Sequence, residues 1–198
     1  MKCICVGAGE KPNHNIVKET GDLLIAVDGG LNYLEGQTVD MVVGDFDSLG
    51  YEPKVGEVVK LEVKKDYTDM WVACQKGYES GYREFWLYGA TGGRFDHTLA
   101  NVQLASNLAK KDCKAVLKGN GYDVFVVNSQ VTFDDMVGRG VSVFAADRAV
   151  IDLDGFEYAA RDLTVTNDFP IGVSNRIIEE RAVVKIRQGV AVIVVNFA

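Results

Sequence analysis

Short apolar runs closed by glycine or aspartate alternate with longer mixed stretches through the first half of the chain. Residues 2–7 (KCICVG), 22–28 (DLLIAVD), 39–43 and 84–89 (EFWLYG) predict short buried strands, and 114–118 (KAVLK) predicts a fifth. Between them, 68–80 (TDMWVACQKGYES) places Met70, Ala73, Cys74 and Gly77 at near-helical spacing. Residues 95–110 place Leu99, Val102, Leu104, Ala105 and Leu108 mostly on one stripe. Strand alternating with helix predicts a mainly parallel sheet with helices packed on it.

The pattern changes from about residue 120. VFVVN, VSVFAA, VIDL, LTVTN, AVVKIR and VAVIVVNF are short, valine-rich and separated by turn residues. None of this region has helical periodicity, so it predicts several short strands in an antiparallel sandwich or barrel. Asn120-Gly121 is a hairpin-turn signal and marks the seam. The chain therefore divides into an α/β domain over 1–121 and an all-β sandwich domain over 122–198. It carries no low-complexity tract and no internal repeat.

Composition narrows the partners. Of 198 residues, 47% are hydrophobic and 25% charged, as in ordinary globular chains. The net charge of −7, with no basic cluster beyond Lys64-Lys65, argues against a nucleic-acid footprint. An acidic protein can still bind a phosphate substrate when a divalent cation sits between them. Cys3, Cys5, Cys74 and Cys113 form no C-x-x-C pair and there are 2 histidines, which argues against zinc. Cys3 and Cys5 are spaced for one strand face and are expected to act as small buried hydrophobes. No signal-peptide pattern and no apolar run of about 18 residues is present, so no membrane span is expected and the protein is placed in the reducing cytoplasm.

Acidic and glycine-rich segments follow the predicted strands. After the second comes Asp28-Gly29-Gly30, after the third Gly44-Asp45-Phe46-Asp47-Ser48, and after the fourth Gly89-Ala90-Thr91-Gly92-Gly93-Arg94-Phe95-Asp96-His97. Lys65-Asp66-Tyr67-Thr68-Asp69 opens the first long helix. In an open α/β sheet, ligands lie beyond the carboxyl ends of the strands, so a parallel sheet brings these groups to one edge. An extended Asp45-Phe46-Asp47 points both carboxylates one way, and Asp66 and Asp69 share a helix face. Such a gathering of carboxylates repels itself unless a cation lies among them, and hard oxygen donors favour Mg²⁺. Gly92 and Gly93 let backbone N–H groups approach an anion, and Arg94 offers a planar fork for phosphate oxygens. Each piece also has a plain structural explanation. Asp45 to Ser48 can be a capped turn, Asp66 and Thr68 helix caps, Asp69 a first-turn charge, and His97 and Asn101 a solvated pair. Together they meet at one sheet edge, which separate structural roles do not explain.

The ordered set DGG (28–30), GDFDS (44–48), KDYTD (65–69), GATGGRFDHTLAN (89–101) and GVSN (172–175) resembles the thiamine pyrophosphokinase family over almost the whole chain. The resemblance implies an α/β catalytic domain, a β-sandwich that helps bind thiamine, and a homodimer with sites built across its interface. It also implies transfer of the pyrophosphoryl group of ATP to thiamine with Mg²⁺. By that resemblance Asp45, Asp47 and Asp69 hold Mg²⁺, with Asp66 a further ligand or an organiser of the helix start. Lys65, Thr68 and Arg94 contact phosphate, together with Gly92 and Gly93. Asp28, Gly29 and Gly30 line the nucleotide side. Asp96 orients thiamine or accepts its hydroxyl proton, and His97 is structural. Ser174 and Asn175 match the thiamine-side motif. Some relatives carry an aromatic shortly after that pair; this chain has Arg176, Ile177 and Ile178, leaving an isoleucine, Phe169 or another aromatic to meet the ring. Two other classes compete. Asp45-x-Asp47 also fits a Mg²⁺-dependent phosphohydrolase with an aspartyl nucleophile, which leaves KDYTD and GGRFDH unexplained. A non-catalytic nucleotide- or thiamine-binding protein would be marked by a lost metal carboxylate.

Overall fold

The computed structural model describes residues 1–47 and 49–197. Ser48 of the GDFDS segment lies outside them. The chain forms two compact units, Met1–Leu104 with Leu117–Asn120, and Ala105–Val116 with Gly121–Ala198. Strand pairing is parallel in the first and antiparallel in the second, so the architecture is mixed.

The first unit contains β1 (Cys3–Val6), β2 (Leu23–Val27), β3 (Met41–Gly44), β4 (Glu57–Lys60), α1 (Asp69–Glu79) and β5 (Glu84–Tyr88). All its pairs are parallel, in the order β5-β1-β2-β3-β4. β1 is buried throughout because both of its faces are covered. Ile4 and Val6 join Leu24, Ala26, Val42 and Phe46 in one cluster. Cys3 and Cys5 face the other way, toward α1, where the Sγ atoms of Cys5 and Cys74 lie 4.0 Å apart. All four cysteines are buried and outside any disulfide, as small apolar side chains would be. α1 presents Met70, Ala73, Cys74 and Gly77 to the sheet. A side chain at Gly77 would run into Cys3 Sγ, so glycine sets how closely helix and sheet approach.

β4 escapes the sequence pattern. Its two valines are flanked by Glu57 and Lys60 and only half buried, the signature of an edge strand rather than a core one. α2 (Phe95–Ala109) and β6 (Lys114–Lys118) run through the division between the units. No helix among the described residues is long and apolar enough to cross a membrane.

The second unit holds β7 (Tyr122–Val127), β8 (Val131–Asp134), β9 (Gly140–Asp154), β10 (Ala160–Thr166), β11 (Asn175–Arg176) and β12 (Arg181–Asn196). The expectation of uniformly short strands is corrected here. VSVFAA and VIDL are one strand, β9, and AVVKIR and VAVIVVNF are one strand, β12. The intervening polar residues form β-bulges at Ile186/Gln188 and Gly189/Ala191, which bend the ladder without ending it. Gly189 has φ +83°, and a side chain there would strike the Arg148 carbonyl oxygen. β12 pairs with β9 along its length, with β8 through Arg181–Val184, and with β7 through Ala191–Asn196. Ile151, Ile177, Val184 and Ile193 are central to its core.

One buried charge braces this unit. Asp152 is 2% exposed and accepts from Arg187 Nε at 2.9 and 2.8 Å and from the Asp162 N–H at 2.9 Å. Arg187, and then the Asp162 N–H, hold its carboxyl below the ordinary range. A depressed folded value means the contribution to stability is present above the unfolded value, about pH 4, and is lost as pH falls through the folded one. The melting temperature is expected to be flat above that point and to fall below it. Asp152→Asn is expected to lower the plateau and flatten the acid limb. Calorimetry across acid to neutral pH, run on both proteins, reads this directly.

Candidate active site

The strand order places the site. From β1 the chain steps outward through β2, β3 and β4, then returns to the other side of β1 with β5. The β1/β5 gap is therefore a topological switch point, where loops diverge and leave a crevice. The crevice is a cleft of about 950 Å³, lined by the segments after β1, β2, β3 and β5 and by the start of α1. That size suits a nucleotide-sized ligand.

The loops after β1 and β5 are zipped together by backbone hydrogen bonds. Gly7 N–H donates to Tyr88 O at 2.8 Å, Gly9 N–H to Gly89 O at 2.9 Å, and Glu10 N–H to Thr91 O at 2.9 Å. A side chain at Gly9 would fall 2.5 Å from Gly89 O, so only glycine permits this closeness. Gly92 and Gly93 line the cleft with φ of 75° and 60°. Asn101, on α2, is buried and donates from Nδ2 to Ala90 O at 2.7 Å, fixing the same loop from below. Asn101→Ala is expected to cost about 1–2 kcal/mol by leaving a backbone carbonyl without its donor. It should also raise KM for the nucleotide severalfold with kcat less affected; thermal melts and steady-state kinetics check both.

Asp45 and Asp47 meet by a different route from the extended geometry the spacing predicts. Phe46 is 5% exposed, packed in the core cluster, and adopts φ 64°. Burying that ring turns the chain left-handed, and Asp47 N–H then donates to Asp45 Oδ1 at 3.2 Å. Asp28 also has φ 48° and opens a 3-10 turn, Asp28–Tyr33. Gly44 lets it approach, since a side chain there would lie 3.1 Å from Asp28 Cα. Asp28, Asp45 and Asp47 each bring one carboxylate oxygen within 4.8 Å of the others.

Lys65 and Asp69 complete the acidic end. Lys65 Nζ lies 2.7 Å from Asp69 Oδ1 and 3.2 Å from Asp45 Oδ2, and donates to Glu62 O at 3.0 Å. Asp47 N–H and, after it, Lys65 hold the Asp45 carboxyl below its ordinary value. Burial pushes Asp69 up, and the charges of Asp45 and Asp28 add to this despite Lys65. Burial also works against the Lys65 ammonium, but Asp69 and Asp45 outweigh it and raise its pKa. The cleft thus gathers Asp28, Asp45, Asp47 and Asp69, two of which, Asp45 and Asp69, pair with one ammonium. Hard oxygen donors at this spacing fit a small divalent cation such as Mg²⁺.

Not every residue singled out in the sequence faces the cleft. Thr68 lines it, but its Oγ1 accepts from Trp71 N–H at 3.2 Å as the N-cap of α1. Asp66 is exposed and outside the lining. Gly29 and Gly30 are buried beneath the site. Arg94 lines the cleft and Asp96 does not; they form an exposed ion pair at 2.5 Å. His97, expected to be structural, is exposed and lines the cleft. Ser174 and Asn175 lie in the second unit. Ser174 has φ 63°, and its N–H donates to Ser142 Oγ at 3.1 Å. Asn175 is buried and clamps Tyr158: Nδ2 donates to Tyr158 O at 2.9 Å, and Oδ1 accepts from the N–H groups of Tyr158 and Arg176. The sequence reading missed Gly7 to Glu10. Its signal was Gly-x-Gly directly after the first strand.

A parallel sheet whose switch-point cleft joins glycine loops to clustered carboxylates defines a nucleotide-dependent phosphoryl- or pyrophosphoryl-transfer protein. The comparisons with known proteins make this specific. Residues 15–117 match the family described as thiamin pyrophosphokinase, catalytic domain, and the chain belongs to that family. It is 28% identical to the thiamine pyrophosphokinase of Bacillus subtilis, over 98% of each chain. Its fold matches the crystal structure of thiamine pyrophosphokinase from that organism with TM-score 0.85, covering 100% of both chains at 23% identity. It matches thiamin pyrophosphokinase from Geobacillus thermodenitrificans with TM-score 0.82 at 25% identity, covering 99% of this chain and 97% of that one.

Proposed function

We propose that this cleft transfers the pyrophosphoryl group of ATP to thiamine, giving AMP and thiamine diphosphate. The observation that carries the reading is the convergence of Asp28, Asp45 and Asp47 within 4.8 Å, facing the glycine loops in one cleft. In such a transfer the thiamine hydroxyl oxygen bonds to the β-phosphorus, the bond from that phosphorus to the oxygen bridging the α- and β-phosphates breaks, AMP leaves with the bridging oxygen, and the hydroxyl proton passes to water. Little covalent chemistry falls to the protein; alignment and charge neutralisation dominate.

The residues divide that work. Asp28, Asp45 and Asp47 would hold Mg²⁺, with Asp69 beside them. When bound, the ion neutralises polyphosphate charge and fixes its orientation. Backbone N–H groups of the glycine loops cradle phosphate oxygens, and the start of α1 adds its positive end. Lys65 and Arg94 supply mobile cations. Asp96, held low by its pairing with Arg94, is a poor proton acceptor and better suited to positioning Arg94. The antiparallel unit, read as a sandwich, would supply the thiamine side. Asn175 would act there through the backbone it clamps, with Ser174 the more accessible of the two. A homodimer is the expected working form. Phe95 and Leu99, one turn apart on α2 and 72% and 49% exposed, are surfaces such an association would cover.

The test is AMP formation from ATP and Mg²⁺, with and without thiamine. Thiamine-dependent AMP supports the reading. ADP, free phosphate or no turnover rejects it, and phosphate release from simple monoesters would restore the aspartyl-nucleophile hydrolase.

A further inference from the structure

We propose that Lys65 is a built-in counter-cation that makes divalent-cation binding conditional on polyphosphate. The proposal rests on the pyrophosphoryl-transfer reading of this cleft, and concerns the order in which its charges are filled. In the structure Lys65 Nζ donates to Asp45 Oδ2 at 3.2 Å and Glu62 O at 3.0 Å and forms an ion pair with Asp69 Oδ1 at 2.7 Å. The ammonium thus ties the end of β3 to the start of α1. Its side chain is 12% exposed, so salt screens these contacts weakly.

Asp45 is thereby engaged at both oxygens, Oδ1 by the Asp47 N–H and Oδ2 by Lys65. A divalent ion joining Asp28, Asp45 and Asp47 must take a share of Asp45 from Lys65 or sit beside an ammonium of like charge. Cation alone therefore binds at a disadvantage. A polyphosphate changes the balance by offering the ammonium new anionic acceptors a short swing away. Lysine suits the role because it is a compact charge on a flexible stem, whereas a guanidinium would lock into a fork. Cation and nucleotide then enter as a coupled pair, and the empty cleft does not load metal in advance.

Mn²⁺ is a usable probe, since free and bound ion are distinguished by electron paramagnetic resonance. In nucleotide-free protein, Lys65→Met is expected to bind Mn²⁺ roughly tenfold more tightly than wild type, by removing the like charge. With Mn²⁺ saturating, the same variant should bind α,β-methylene-ATP roughly tenfold more weakly. Lys65→Arg keeps the charge and should keep the weak metal binding. If Lys65→Met does not melt cooperatively, Lys65→Gln is titrated in its place. Mn²⁺ affinity unchanged or weakened on losing the charge would overturn the proposal, even in an enzyme that makes AMP from thiamine and ATP. Tighter Mn²⁺ binding in a protein that makes no AMP would uphold the coupling and sink the reaction.

Discussion

Asp47→Ala is expected to lower kcat/KM for thiamine-dependent AMP formation by about a thousandfold, roughly 4 kcal/mol of transition-state stabilisation. Its melting temperature should stay within a degree or two of wild type. The two expectations separate because of where Asp47 sits. Its side chain is exposed at the cleft, so truncation opens no cavity in the core. Its backbone N–H survives in alanine, so the turn that presents Asp45 Oδ1 is kept. What is lost is one of three converging carboxylates, which in the proposed reaction hold the cation that balances polyphosphate charge. Asp66→Ala is the natural comparison. Asp66 carries the same charge a short way along the chain but lies outside the cleft lining, and its loss should change kcat/KM less than about threefold, the scale of a screened surface charge. Steady-state kinetics on the two variants beside wild type decide the matter. Equal losses would mean that overall negative charge, and not the Asp28–Asp45–Asp47 constellation, supports the reaction.

Gly30→Ala is expected to be the most damaging single-methyl change in the chain, costing about 4 kcal/mol, at the upper end for point substitutions. The new Cβ would lie 2.6 Å from the Val6 carbonyl carbon and 2.9 Å from Gly7 C. Neither can retreat. Val6 belongs to β1, which is paired with β2 on one side and β5 on the other. Moving it would break two ladders and shift the loop from Gly7 to Glu10. At this chain length such a loss lowers the melting temperature by roughly 10 °C, or prevents accumulation of folded protein. Calorimetry or chemical denaturation measures it. A variant that melts like wild type but shows a raised KM for ATP would instead place Gly30 at the ligand, as the resemblance of the DGG segment implied.

That contrast shows how reading and structure differ. DGG was legible as a punctuation mark after a strand, and Asp28 does reach the cleft. Gly29 and Gly30 are buried below it, and at Gly30 a turn this tight beside a central strand leaves no space for a Cβ. Asp45-Phe46-Asp47 was legible as a carboxylate pair at a strand end. That Phe46 would be drawn into the core, turning the chain left-handed and making Asp47 N–H a partner of Asp45, depended on a cluster built from β1, β2, β3, β5 and the loops that carry Ile16 and Leu34. The sequence also put Asp69 with Asp45 and Asp47. The structure brings Asp28 into that trio and joins Asp69 to it through Lys65, since Val27 and Val43 stand opposite each other in adjacent strands. Asn175 looked like a ligand residue, and its amide also holds local backbone, with Oδ1 accepting from the Tyr158 and Arg176 N–H groups and Nδ2 donating to Tyr158 O. Side-chain type alone does not reveal whether a polar group already has partners.

The alternation of short apolar runs with helical stripes determined by itself that β1, β2, β3 and β5 would pair in parallel with α1 packed on them. Burial on both faces demands that pattern and few others produce it. The spacing of glycines and carboxylates after those runs determined that the acidic and glycine-rich segments would gather at the strand ends. Tertiary structure alone decided the edge strand β4, whose half-exposed valines carry too little signal, and the bulges that keep β9 and β12 continuous, which look like turns in sequence. It alone decided which acids converge and which stand apart. Those choices rest on distances of a few ångströms between residues far apart in the chain, and no local pattern encodes them.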